Sequence, residues 1–296
     1  MDVGVVFPQV EIGNDPGAIR AFAQSVEEMR YTHLLAFDHV LGANPERPGG
    51  WQGPYTHRHA FHEPLVLFGF LAAATTRLGF ASGIIILPQR QTALVAKQAA
   101  TVDVLSSGRL RLGVAVGWNA VEFEALGPNF HTRGRRIEEQ IAVMRALWTK
   151  ELVIFAGKDH RIPDAGLNPL PVQRPIPIWM GGESEVVQHR TARIADGWMP
   201  HFGPGPKGQE TIDRMHDLVR ASGRDPRHFG IEGRITLARV PRDGWHKELE
   251  AWHAMRGVTH LSVSTMGLGL EKPDQHVELL REVRAMVRAA GLGPNR

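Results

Sequence analysis

The sequence predicts a single (β/α)8 TIM-barrel domain over residues 1–296, with an insertion at about 150–176, before the fifth strand. Three observations carry that prediction. Short β-branched runs alternate with longer stretches whose apolar residues recur at three and four, as βα units on a parallel sheet require. The alternation repeats eight times within 296 residues. Strand segments such as Ile84-Ile85-Ile86-Leu87 and Val114-Ala115-Val116 are continuously apolar, as strands buried on both faces are. An open doubly wound sheet shares the alternation and is the competing architecture.

In chain order, the first strand is Asp2–Phe7, followed by a helix with Pro16 near its first turn and Ile19, Phe22, Ala23, Val26 and Met29 on one face. A second strand lies near His33–Phe37. After a long Gly/Pro-rich loop come a helix (Pro64–Thr75), a strand (Leu78–Leu87), a helix (Thr92–Leu105) stopped by Gly108, and a strand (Leu110–Val116). The next helix, Arg133–Thr149, carries Ile137, Ile141, Met144 and Trp148 on one face. The irregular stretch behind it, with the Pro-rich Asn168-Pro-Leu-Pro-Val-Gln-Arg-Pro175, reads as an insertion holding a short hairpin. Alternation then resumes: strand Pro177–Gly181, helix Glu183–Ala195, strand Gly197–Met199, helix Gly208–Ala221, strand Ile231–Val240, helix Gly244–Met255, strand His260–Ser264 and helix Pro273–Ala290.

Composition narrows the function. With no cysteine, disulfide scaffolds, thiolate metal sites and cysteine nucleophiles are excluded. A formal charge of +3, from 34 Lys+Arg against 31 Asp+Glu, is too small for a nucleic-acid-binding field. The start Met1-Asp2-Val3 has an acid where an export signal carries a base, and the longest apolar run, Leu65–Ala74, is roughly half of what spans a bilayer. The expectation is a cytoplasmic enzyme acting on a small molecule, with no nucleic-acid or membrane partner. The 32 glycines and 20 prolines imply many turns.

In a barrel the chemistry sits where strands end, so those positions hold the candidate functional residues. Asp38-His39 after the second strand can place an imidazole suited to proton transfer. His57, His59 and His62 crowd the following loop with Glu63; they are candidates for a substrate pocket or, as in metal-dependent hydrolases, for metal ligation. Later strand ends supply no further metal ligand, so no metal is expected. Gly203-Pro-Gly205-Pro-Lys-Gly208 matches a dinucleotide-binding string, yet Pro204 and Pro206 lack the N–H groups a pyrophosphate needs. A better anion site is Gly181-Gly182-Glu183-Ser184, where a buried strand enters a helix; the Glu183 charge counts against it unless the carboxylate turns outward. Ser82-Gly83-Ile84 puts a glycine inside an otherwise β-branched run, the mark of a bulge, a close ligand approach or simple packing. Gly117-Trp118 ends the fourth strand, where a flat ring could stack.

Taken together, these segments resemble the luciferase-like monooxygenase superfamily, and within it the oxidoreductases that use the deazaflavin coenzyme F420. The marks are Asp38-His39, Leu78-Gly-Phe-Ala-Ser-Gly83-Ile-Ile-Ile-Leu-Pro88, Ala96-Lys97-Gln98, Ser107-Gly-Arg-Leu-Arg-Leu-Gly-Val-Ala-Val-Gly-Trp118, Pro177-Ile-Trp-Met-Gly-Gly182 and Ala195-Asp-Gly-Trp198. The resemblance implies a bacterial luciferase-like barrel, a homodimer, and a cis peptide bond at Gly83–Ile84 under the cofactor ring. It further implies cofactor contacts at Asp38, Ser82, Gly83, Ile84, Gly117, Trp118, Gly181, Gly182, Glu183 and Ser184, with phosphate after strand five instead of the more usual strands seven and eight. His39 is implied as the catalytic residue beside the ring, and His57, His59 and His62 as the substrate wall. Coenzyme F420 is the expected cofactor and FMN, which would make the enzyme a monooxygenase, the alternative. Arg133, Arg135 and Arg136 could meet the acidic tail of coenzyme F420 or simply be solvated. A metal-dependent hydrolase and a non-catalytic ligand carrier remain the readings from other classes.

Overall fold

A computed structural model describes residues 1–291, so the last five positions of the expected 1–296 domain lie outside the described residues. Eight parallel strands close into a barrel: β1 (Asp2–Val6), β2 (His33–Ala36), β3 (Gly79–Ser82), β4 (Leu110–Ala115), β5 (Ile178–Gly181), β6 (Gly197–Met199), β7 (Gly230–Thr236) and β8 (His260–Ser264). β8 returns to β1 through the register Asp2↔His260, Val3↔Leu261, Gly4↔Ser262 and Val5↔Val263. Closure leaves no sheet edge, which decides for the barrel against the open sheet.

The surrounding helices are α1 (Pro16–Glu28), α2 (Pro64–Ala72), α3 (Thr92–Leu105), α4 (Ala120–Leu126), α5 (Arg133–Thr149), α6 (Glu185–Ile194), α7 (Pro206–Ala221), α8 (Trp245–Ala254) and α9 (Pro273–Ala289). Local chemistry starts several of them. The Asp15 carboxylate caps α1 at the Ala18 N–H, Pro16 fits its first turn, and the Glu63 carboxylate caps α2 at the Val66 N–H. Gly108, at φ +82°, follows the last turn of α3. The insertion carries an antiparallel hairpin, Val153–Ala156 with Arg161–Ala165, before β5 as expected.

Three segments depart from the expected elements. The run Leu78–Leu87 is not one strand: β3 ends at Ser82, the cis peptide bond implied by the resemblance joins Gly83 to Ile84, and pairing with β4 resumes only at Ile85–Ile86. The seventh strand ends at Thr236 and tightens into a 3-10 turn, Leu237–Arg239. α4 was not anticipated; with seven residues and only Glu122 and Phe123 buried, it shows no sustained period.

Two apolar layers hold the barrel. Outward strand residues such as Val3, Leu34, Phe80 and Val114 pack against the helices, while Val6, Leu35, Ala81, Trp179 and Met199 fill the interior. Below that interior cluster lies a buried polar group. Arg111 Nη2 is 2.6 Å from Glu232 Oε2, His33 Nε2 is 2.9 Å from Glu232 Oε1, and the Arg111 guanidinium lies 4.2 Å from the Trp179 ring centroid. Gly4 and Gly230 make room, since a Cβ at either would overlap the ring of His33 or Trp179. Burial acts to raise the Glu232 carboxyl, but Arg111 and His33 outweigh it and hold it far below the ordinary carboxylate range.

Removing one member of such a pair strands a buried charge. Arg111→Met is expected to lower the unfolding free energy by about 3–5 kcal/mol in urea titration. A loss below ~1 kcal/mol, the scale of an exposed pair, would contradict the burial and pairing described here.

Candidate active site

The ends of the strands converge on a cavity of about 780 Å³ at the mouth of the barrel. Its floor is made by the interruption of β3. A Cβ at Gly83 would overlap the Leu35 side chain, which any other residue there would have to displace, and Ile84 lines the cavity beside Gly181, which it approaches closely enough that a Cβ at 181 would sit 3.2 Å from Ile84 Cγ2. The interruption is held in place from β2: the Gly83 N–H donates to Ala36 O (2.7 Å), and the Asp38 carboxylate takes the Ile86 N–H (3.0 Å) where β2 no longer offers a carbonyl. Arg90 fixes Asp38 at 2.7 Å and reaches Glu63 at 2.8 Å, tying the floor to the start of α2.

His39, next in the chain, lines the cavity. Its ring is boxed by Tyr55 (4.9 Å between centroids), Phe61 (4.8 Å) and Trp118 (6.0 Å). Nδ1 lies 3.3 Å from Oε1 of Glu122, which is fully buried and also accepts the N–H groups of Val40 (2.8 Å) and Leu41 (3.1 Å). Burial acts to raise the Glu122 carboxyl, but the His39 ring and these N–H groups outweigh it and hold it below its usual range. An ionised carboxylate only accepts, so Nδ1 carries the hydrogen, and Nε2, without a protein partner among the described residues, is left to exchange a proton on the cavity side.

The opposite wall is the turn from β5 into α6. Gly182 has φ +116°, a conformation that favours glycine. Gly181, Gly182, Glu183 and Ser184 all line the cavity, and no side chain caps the N–H groups of the first turn of α6. The Glu183 carboxylate accepts the His201 N–H at the end of β6 (2.5 Å), which engages its charge away from the helix start. An anion can therefore approach backbone donors and the positive end of the helix dipole. Gly117 and Trp118 complete the wall after β4.

Not every expected residue joins this cavity. The Ser82 hydroxyl is buried between strands, donating to Gly113 O (2.8 Å) and accepting the Gly113 N–H (2.9 Å), so it packs β3 against β4 and lines no part of the site. Asp38 borders the cavity, but its two oxygens serve Ile86 and Arg90. Of the loop histidines, only His59 lines the main cavity; His57 lines an adjoining space of about 280 Å³, and His62 faces Phe7 at 6.2 Å. The three do not converge, and among the described residues no group of three or more His, Asp or Glu is arranged to hold a metal ion. Arg133 binds the carbonyls of Gly117 and Phe130, and Arg135 pairs with Asp159; neither lines the cavity. Sequence reasoning missed Glu122, Tyr55, His201, Arg234 and Arg239. Only Glu122 had a signal, the Asn119-Ala-Val-Glu122 capping pattern that starts α4.

A family model described as luciferase-like monooxygenase matches residues 1–255. An uncharacterized protein of Mycobacterium tuberculosis is 41% identical over 164 residues, 55% of this chain and 56% of that protein. The FMNH2-dependent dimethylsulfone monooxygenase of Pseudomonas fluorescens is 35% identical over 185 residues, 62% of this chain and 49% of that protein. The match spans about half the length of these curated relatives. Among solved structures, long-chain alkane monooxygenase (LadA) aligns with a TM-score of 0.80 at 14% identity, covering 100% of this chain and 93% of its own. The coenzyme F420 dependent tetrahydromethanopterin reductase of Methanopyrus kandleri aligns at 0.69 and 14%, covering 95% and 97%. At such identities the structures speak for the fold alone.

Glu122→Gln keeps the shape and removes the charge. It is expected to cost about 1–3 kcal/mol of stability at neutral pH. The deficit should shrink as the pH falls through the lowered folded-state value of Glu122, because a depressed carboxyl stabilises the fold only while it is ionised. Paired urea titrations at neutral and acid pH check this; a deficit that does not change with pH would contradict the ionised Glu122 carboxylate.

Proposed function

The chain belongs to the luciferase-like monooxygenase family, and from that premise we propose that it is an oxidoreductase holding a flavin-type cofactor at the barrel mouth and passing a hydride between that ring and a small organic substrate. One juxtaposition carries the reading: the Gly83–Ile84 bulge, an uncapped helix start and a histidine oriented by a buried carboxylate share a single cavity. When bound, such a cofactor supplies the hydride chemistry. The protein's own groups do the rest. Ile84 supports the ring from below, and Gly182 with the N–H groups of Glu183 and Ser184 binds the phosphate. His39 Nε2 gives or takes a proton beside the ring, while Tyr55, Phe61 and Trp118 keep water from the imidazole.

Coenzyme F420 is the preferred ring, because the sequence resemblance implies for His39 the place beside the ring in relatives that use this coenzyme. FMN is the second reading, favoured by the 35% identity to an FMNH2-dependent monooxygenase, and it would bring oxygen in as co-substrate. The proposal extends to a cytoplasmic homodimer acting on a small molecule, with no nucleic-acid or membrane partner. None of the described helices is long and apolar enough to cross a membrane.

Absorbance-monitored titration with each cofactor separates the readings. Binding of coenzyme F420 is expected; tight binding of FMN with none of the deazaflavin would select the second. Ser184→Asp puts a carboxylate where the phosphate is to lie, and aspartate at this position also caps α6, so the variant should fold. It should weaken the phosphate-bearing cofactor by roughly tenfold or more. Undiminished affinity in Ser184→Asp would remove the phosphate from this turn.

A further inference from the structure

Three of the arginines drawn into this protein are held by carboxylates. Arg111 is held by Glu232 at 2.6 Å, Arg90 by Asp38 at 2.7 Å and Arg190 by Glu138 at 2.8 Å. Arg234 and Arg239 differ from these: both line the main cavity, and among the described residues neither has a hydrogen-bond or ion-pair partner. Arg234 shares the inward face of β7 with Glu232 and Thr236, and its guanidinium lies 5.3 Å from the Phe37 ring centroid. Glu232, the carboxylate two residues before it, is already engaged by Arg111, His33 and Ser262. Arg239 stands exposed at the rim, on the 3-10 turn that closes β7.

None of the carboxylates lining the cavity forms an ion pair with either guanidinium. Asp38 is held by Arg90, Glu183 accepts the His201 N–H, and Glu11 accepts the Gly267 N–H at 2.7 Å through one of its oxygens. The Tyr55 hydroxyl and the His201 ring line the same space, also without protein hydrogen-bond partners among the described residues. A guanidinium drawn partly out of water is stable in that state only with an acceptor, and its planar fork suits an oxyanion. Phe37, Ile84, Trp118 and Met266 add apolar wall to the same cavity.

We infer that Arg234 and Arg239, with the Tyr55 hydroxyl, form a second anion subsite, distinct from the Gly181–Ser184 turn, that binds the carboxylate or sulfonate of a small substrate with an apolar body. The two subsites lie on β7 and β5, with β6 between them. The inference rests on the proposed function, because it assigns the β5 turn to the cofactor and the β7 end to the substrate.

Calorimetric titration of the full chain with hexanoate and hexane-1-sulfonate, with hexan-1-ol as the neutral control, tests it. Both anions should bind, and Arg234→Gln should weaken them roughly 10- to 100-fold while leaving hexan-1-ol, FMN and coenzyme F420 unchanged. Arg239→Gln at the exposed rim should act in the same direction by a smaller factor, and it keeps the test alive if Arg234→Gln does not fold. Equal anion affinity in wild type and both variants would overturn the subsite. So would a loss of cofactor affinity in step with the loss of anions, since the guanidinium would then serve the cofactor phosphate. Anion binding that depends on Arg234 in a protein that binds neither cofactor would uphold the subsite and remove the flavin reading.

Discussion

The mouth of this barrel depends on the point where β3 lets go of its neighbour. Leu35 occupies the space a side chain at position 83 would need, so the chain passes as glycine, Ile84 turns to the cavity, and the ladder to β4 resumes only at Ile85. A broken ladder leaves a donor to satisfy, and the Asp38 carboxylate satisfies it at Ile86. Asp38 is in turn anchored by Arg90, which also holds Glu63, the cap of α2. One network therefore sets the floor of the cavity, the exit of β2 and the entry of the next helix. His39 inherits its place from Asp38 and its ring orientation from Glu122.

The barrel divides its polar groups between two ends. In the lower interior the charges are paired: Arg111, His33 and Ser262 surround Glu232, and Trp179 covers the guanidinium. That closed layer specifies how the strands meet and leaves no room for a ligand. Toward the C-terminal ends of the strands the balance changes, and uncapped N–H groups, a half-engaged imidazole and two unanswered guanidiniums face one cavity. A barrel whose lower half is neutralised and whose upper half holds unanswered donors is arranged to take anionic ligands from above.

Much of the fold was legible in the residues. The bounds of α3 and α5 follow from their periodicity, and Gly197–Met199 and His260–Ser264 from short apolar runs. The break in β3 is not readable from periodicity, because four consecutive apolar residues read as one strand whether or not the ladder is continuous; Gly83 marked a candidate bulge, and the cis bond that the family resemblance implied at Gly83–Ile84 is present. At the site, the glycine positions and His39 were readable as strand ends, and all of them line the cavity. Histidine density misled, since three histidines close in sequence diverge in space when the loop that carries them is wrapped over an aromatic cluster. Ser82 misled similarly, its hydroxyl being consumed by Gly113. The capping pattern marks Glu122 as a helix-start residue but not as the partner of His39, which it meets across 83 positions, and Arg234 is a strand arginine whose inward direction follows only from register.

The central claim is that the flavin-type ring rests on Ile84 with its phosphate at the start of α6. The most direct measurement is a crystal structure of the protein with coenzyme F420 or FMN bound. The account predicts the ring stacked over the Gly83–Ile84 bulge beside His39, and a phosphate oxygen within hydrogen-bond distance of the N–H groups of Gly182 to Ser184. A phosphate bound instead by Arg234 and Arg239, or a ring lodged away from Ile84, would contradict it.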